Sequence, residues 1–213
     1  MSSSSKLVRY VTYPLWLFKH GEFDLLRYIK EFDRLQYLSR EQLESLKWKK
    51  IKDIIRHAYQ NVPFYNKLFR ENGISIEEIK DLNDFEKIPV ISKQDIRENI
   101  SSISAKNFSA KQLLKSNTGC STGIPLAFYR DKRCLLYRRA IDFVFNRWLG
   151  VEIGDWVGWA WGASQDIVES KNLKAKLANR LIYRSFFLSF EYITPKNIQV
   201  FIDQIKAKKP KLL

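Results

Sequence analysis

Cysteine occurs twice in the 213 residues, as Cys120 and Cys134, and histidine twice, as His20 and His57. Two thiols rule out a disulfide scaffold and fit a reducing compartment. Two histidines leave too little material for a His-rich metal site. Long apolar runs are also missing. The stretch from Leu7 to Phe18 contains Arg9 and Pro14, and no small-residue cleavage site follows it. Such a run is too short and too interrupted to span a bilayer, and it lacks a signal-peptide h-region. Acidic residues are few, 23 against 37 basic ones, leaving a net charge of +14. No internal repeat is visible, and the low-complexity sequence is confined to Ser2–Ser5.

What remains is a chain with 45% hydrophobic and 28% charged residues, neither a disordered tail nor a membrane bundle. A chain of this length buries roughly 70% of its unfolded surface, enough for a true core. The Leu7–Phe18 stretch reads as a helix or loop packed on the body of the protein. A looser reading is an aromatic, basic segment that touches a membrane surface. The positive excess is concentrated: from Lys171 to Lys211 there are ten Lys or Arg against Glu191 and Asp203, and from Arg130 to Arg139 five against Asp131. Clustered cations attract nucleic acid, anionic lipid or a polyanionic nucleotide. A solvated helix face gives the same pattern, so charge alone does not choose.

The first 115 residues read as a helical region. Trp48, Ile51, Ile55 and Ala58 recur on one helical face, with Ile54 beside them, and Asn61-Val62-Pro63 stops that helix because a residue before proline avoids the α region. A short helix through Phe64, Leu68 and Phe69 ends near Asn72-Gly73. Ser92 with Asp95 three residues on predicts a capped helix start. Residues 116–213 change character. Leu126–Tyr129 reads as a strand, Asp131–Leu149 as a helix with Tyr137, Ile141, Val144 and Trp148 on one stripe, and Trp156–Trp161 as a buried strand. Leu173, Leu177 and Leu181 mark another helix; Thr194-Pro195 opens a last one with Ile198, Phe201, Ile202 and Ile205 on its apolar face. Lys211-Leu212-Leu213 then reads as the opening of a further strand. The expected fold class is α/β: a helical N-terminal region, then the start of a largely parallel sheet with flanking helices.

One stretch carries chemistry. Asn117 to Leu126 reads NTGCSTGIPL, with two glycines and three hydroxyl side chains between Thr118 and Gly123. Backbone N–H groups of such a turn can converge on phosphate oxygens, and the hydroxyls add donors. It is neither GxGxxG nor a Walker A loop, which needs lysine where Ile124 stands. On composition alone the run is equally an ordinary Gly/Ser connection. His57 reads as a packing residue, Cys120 has no histidine near it in sequence, and Trp156, Trp159 and Trp161 read as core, with Gly158 and Gly162 letting backbone approach.

TGCSTGIPL resembles the phosphate-binding loop of adenylate-forming enzymes, usually TSGSTGxP or TGGSTGxPL. HAYQNVPFYNKLF (His57–Phe69), IPVISKQDIREN (Ile88–Asn99) and the terminal KPKLL resemble the phenylacetate-CoA ligase-like branch, which includes proteins assigned to capsular polysaccharide biosynthesis. The segments occur in the right order from about residue 35 onward. The resemblance implies that Thr118, Gly119, Cys120, Ser121, Thr122 and Gly123 form the loop that holds the ATP phosphates. Cys120 stands where the family usually has glycine, and a Cβ with sulfur there obstructs close approach to phosphate. No catalytic residue or metal ligand of the chain is assigned.

The implied reaction takes ATP with Mg²⁺ and a small-molecule carboxylate to an acyl-adenylate, from which a thiol, coenzyme A in the family, displaces AMP. The family's adenine-contacting segment, ribose-binding aspartate and C-terminal lysine have no counterpart within residues 1–213. The chain therefore reads as the N-terminal part of a longer ligase, not expected to turn over alone. The implied setting is cytoplasmic, with peripheral contact at the inner membrane face open, and nucleic acid is not among the implied partners. Two other readings stay open: a basic non-catalytic module for anionic lipid or nucleic acid, and a degenerate scaffold of the same fold.

Overall fold

Two groups of residues each bury a core of their own: residues 1–33 with 136–213, and residues 34–135. The computed structural model describes residues 3–118, 125–161, 173–189 and 193–213. Among these, helices outweigh two small sheets, the α/β class that the sequence predicts.

After α1 (Ser3–Leu7), α2 (Tyr13–Lys19) and α3 (Asp24–Leu35), the second group, residues 34–135, is built on α4 (Arg40–Asn61) and α5 (Pro63–Glu71). Ser39 starts α4 with a full capping box: its Oγ accepts from the Gln42 amide, and the Gln42 side chain accepts from the Ser39 amide at 2.9 Å. Val62, extended at φ −113° ahead of Pro63, separates the two helices. Gly73 then takes φ +62°, a left-handed turn that closes α5. The core is small: Ile55, Phe69 and Ile79 are buried, with Trp48, Ile51, Tyr59, Ile74, Ile76 and Ile88 around them. Ile54, predicted beside the apolar face, points outward. Two short helices follow, α6 (Leu82–Phe85) and α7 (Lys93–Glu98), the latter capped by Ser92 and Asp95 as the spacing predicts.

A hairpin comes next, β1 (Leu113–Asn117) antiparallel to β2 (Ala127–Asp131). The sequence predicts β2 but not β1, because LLKSN carries neither β-branched residues nor strict alternation. Asp131 ends β2 and caps α8 (Lys132–Trp148), accepting the Cys134 amide at 2.7 Å.

The first group starts as a helical run: α1 (Ser3–Leu7), a π turn at Val8–Thr12, and α2 (Tyr13–Lys19), followed by α3 (Asp24–Leu35). Val8, Leu17 and Leu25 are fully buried, joined by Tyr13, Tyr28 and Ile29 and by Leu136, Ala140 and Val144 of α8. The stripe of α8 thus differs from the one predicted. Trp148 is 63% exposed, and the small Ala140 sits at the buried face, where it lets neighbouring helices approach. Val144 of the predicted stripe is buried and Tyr137 packs against the core, while Leu136 and Ala140 take the remaining buried positions.

Here too lies the parallel sheet. β3 (Val157–Trp161) pairs with β4 (Ser185–Ser189), Val157 opposite Ser185. On the other edge of β3, Leu212 bridges to Val157 in parallel, the Gly158 amide donating to the Leu212 carbonyl at 2.9 Å. Of the predicted strand opening at Lys211–Leu213, Leu212 thus makes a single parallel bridge to β3. β3 is less buried than its WVGWAW sequence suggests: Gly158 is buried, but Trp159 is exposed. Helix α9 (Leu173–Ala178) continues through a π turn, Asn179–Tyr183, into β4, and α10 (Pro195–Lys208) lays Phe201 against Phe186 of β4 at 5.2 Å.

Candidate functional site

The chemistry-bearing stretch connects the two strands of the hairpin. The register pairs Ser116 with Phe128 and Asn117 with Ala127. One step further, the Thr118 amide donates to the Leu126 carbonyl at 3.0 Å, and the Leu126 amide donates to Thr118 Oγ1 at 3.0 Å. Thr118 thus closes the hairpin with both backbone and side chain. Its hydroxyl, having accepted from Leu126, still has a proton to donate. Of the six residues assigned to phosphate, Thr118 is described; Gly119, Cys120, Ser121, Thr122 and Gly123 lie outside the described residues, as does Gly162.

Below this closure sits a cation that the sequence could not position. Leu114, Ser116, Phe128 and Arg130 share one face of the pleat. Arg130 donates from Nε and Nη2 to Ser116 Oγ at 3.0 and 2.8 Å, and its guanidinium lies 5.5 Å from the Phe128 ring centre. Two donors spent on one hydroxyl fix the side chain and hold its charge on the hairpin. Among the described residues no carboxylate pairs with it. The root of the connection therefore combines a hydroxyl donor with a fixed positive charge, a setting suited to an anion.

Arg139 belongs to the core of the first group, where it pairs with Glu22 and donates to Tyr13 Oη at 3.0 Å. Burial works against its charge, but the Tyr13 phenol and Glu22 outweigh that penalty and hold the guanidinium more firmly protonated than usual. Burial in turn pushes the Tyr13 phenol up, against the pull of Arg139. These two residues line a cavity of about 360 Å³ with Trp16, Phe143, Glu152 and Tyr183, a feature with no sequence signal. His57 is a packing residue as read: its ring edges on Phe108, and Nδ1 lies 3.3 Å from Asn61 Nδ2. Among the described residues no cluster of three His, Cys, Asp or Glu could hold a metal.

No family model matches the chain. Over 69 residues it is 33% identical to phenylacetate-coenzyme A ligase of Escherichia coli (strain K12), covering 32% of this chain and 16% of that one. Over 104 residues it is 30% identical to Protein CapK of Staphylococcus aureus, covering 49% of this chain and 22% of CapK. The structure matches an open conformation of 2-hydroxyisobutyryl-CoA ligase solved with 2-HIB-AMP and CoA, with a TM-score of 0.58 and 19% identity over 81% of this chain and 40% of that enzyme. The chain thus spans well under half the length of the relatives it matches. In sequence it resembles the phenylacetate-CoA ligase-like branch of the adenylate-forming enzymes, and its α/β fold is that of the N-terminal domain of an adenylate-forming CoA ligase.

Proposed function

We propose that this chain is the nucleotide-phosphate-gripping part of an ATP-dependent ligase that activates a small carboxylic acid as its acyl-adenylate. The observation that carries the reading is the hairpin root: Thr118 pinned to Leu126, with Arg130 fixed on Ser116 beside it. The TGCSTG segment begins at this closure, Thr118 being its first residue. In the reaction a carboxylate oxygen attacks the α-phosphorus, pyrophosphate leaves, and a thiol, coenzyme A by resemblance, displaces AMP from the acyl group.

The chain's own contribution is positional and electrostatic. Thr118 and its neighbours through Gly123 supply donors for the β- and γ-phosphates, and Arg130 adds fixed positive charge where negative charge accumulates. The described donors, the Thr118 hydroxyl and the Arg130 guanidinium, suit an anionic phosphate ligand. Mg²⁺ arriving with the nucleotide would offset its negative charge; among the described residues none is assigned to hold it. The phenylacetate-CoA ligase-like branch includes proteins assigned to capsular polysaccharide biosynthesis, and polysaccharide assembly in the cytoplasm is the proposed setting.

Titration of the ¹⁵N-labelled chain with Mg-ATP tests the reading. Shifts at Ser116, Thr118, Leu126 and Arg130 are expected; unmoved signals at those four would sink it. Thr118→Val keeps the shape but removes the hydroxyl, so the Leu126 amide loses its acceptor. The expected outcome is an affinity loss of about tenfold, with Thr118→Ser close to the parent. The 213 residues alone are expected to release no pyrophosphate across a panel of carboxylic acids, because the matched region spans 40% of the similar ligase.

A further inference from the structure

The N-terminal helical run buries one face and leaves the other, equally apolar, in solvent. Ser5, Val8, Tyr13 and Leu17 are buried. Leu7, Tyr10, Val11, Leu15 and Phe18 are exposed, Tyr10 by 65%, Leu15 by 63% and Phe18 by 75%. Their spacing of three, one, four and three residues is that of a single helical stripe. A π turn at Val8–Thr12 lies within this stripe. Isolated exposed apolar residues are ordinary, but five in one stripe along 17 residues are not.

The charge around the stripe is of one sign. Residues 1–21 contain Lys6, Arg9 and Lys19 and no acid at all; Glu22 is the first. Lys6 and Lys19 are exposed near the two ends of the run, and Arg9 is tied inward to Glu152 at 3.2 Å. No helix among the described residues is long and apolar enough to cross a membrane. Aliphatic and aromatic side chains on one face, cations at both ends and no acid form the pattern of a helix lying in a lipid interface. Partner proteins of this chain would meet the same apolar stripe, but the unbroken positive charge favours an anionic surface over another copy of a chain that itself carries +14.

We propose that the outer face of residues 7–18 docks on an anionic lipid bilayer, Leu15 and Phe18 entering the acyl boundary while Lys6 and Lys19 sit among the headgroups. Docking there is independent of nucleotide binding at the hairpin.

The test is co-sedimentation of the whole chain with phosphatidylcholine vesicles, with and without phosphatidylglycerol. Binding to the anionic vesicles is expected to exceed that to the neutral ones by about tenfold or more, and to fall with salt. Leu15→Gln with Phe18→Gln should lower anionic binding by about tenfold. Both sites are exposed, so far-UV circular dichroism and the thermal midpoint should stay at parent values. Lys6→Glu with Lys19→Glu provides a second variant that leaves the apolar stripe intact; it should cost about fivefold for each lysine lost, with neutral-vesicle binding unchanged. Equal binding to both vesicle types, indifference to both variants, or a dimer in sedimentation velocity that Leu15→Gln with Phe18→Gln dissolves would overturn the proposal.

Discussion

Gly154 turns the chain at φ +92°, and a Cβ built there would lie 2.4 Å from the Ser5 carbonyl oxygen. Backbone cannot yield to that contact as a side chain would. Gly154→Ala is therefore expected to destabilise the protein by about 3 kcal/mol, read as a lower urea midpoint with an unchanged slope. The same carbonyl-rich corner holds Arg184, which is buried and itself left-handed at φ 47°. It donates from Nη1 to the Gly154 carbonyl at 2.9 Å, from Nη2 to the Ser4 carbonyl at 3.1 Å and from Nε to the Arg180 carbonyl at 3.2 Å. Burial pulls its affinity for the proton down, partly offset by Asp155. Arg184→Met fills the space but leaves three carbonyls without this donor, and a loss of about 2–3 kcal/mol in urea unfolding is expected. In the sequence Gly154 is mere punctuation and Arg184 one cation among ten. Their roles depend on residues about 150 and 180 positions away, and no local pattern encodes such a partner.

Helix starts were legible because a cap is a local bargain between neighbours. Ser92 and Asp95 form the box that their spacing announces, the Ser92 amide donating to Asp95 Oδ2 at 2.7 Å. Thr194 accepts from the Asn197 amide ahead of α10 in the same way. Strand β1 was not legible, since its five residues become a strand only through pairing with β2, ten or more residues further along the chain. The hairpin root, and with it the positions of Ser116 and Arg130, was invisible for that reason. At α7 the cap gives a pH-dependent prediction. The Ser92 hydroxyl, and then its amide, hold the Asp95 carboxyl below the usual carboxylate range. A depressed folded value means that the cap contributes above the ordinary aspartate range and is lost as pH falls through the depressed one. The Ser92 amide shift should follow that titration, with a midpoint below that of free aspartate. Ser92→Ala should abolish the shift and cost α7 about 1 kcal/mol of local stability by hydrogen exchange.

At the scale of the whole chain the α/β class could be read, because the alternation of strand and helix is a long-range pattern written in short-range signals, but strand β4 and the antiparallel pairing of β2 in a sheet of its own could not. Burial could not: Trp148, Trp159 and the outer face of residues 7–18 are apolar yet exposed. Hydrophobicity says what prefers to leave water, not which surface is available to cover it. Net charge, by contrast, is a property that the sequence states outright, and it has a consequence for stability. With +14 on a folded body, like charges are brought closer than in the unfolded chain. Ion pairs oppose this, but those such as Lys47–Glu44 and Arg56–Asp53 are well exposed, and pairs of that kind contribute about 0–1 kcal/mol each. Raising salt from about 0.02 to 0.3 M shortens the screening length from roughly 20 to 6 Å, removing long-range repulsion first. The thermal midpoint is accordingly expected to rise by a few degrees with sodium chloride in scanning calorimetry, and to rise equally with potassium chloride. A midpoint that falls with salt would mean that the clustered cations are internally neutralised and that the ion pairs outweigh the net field.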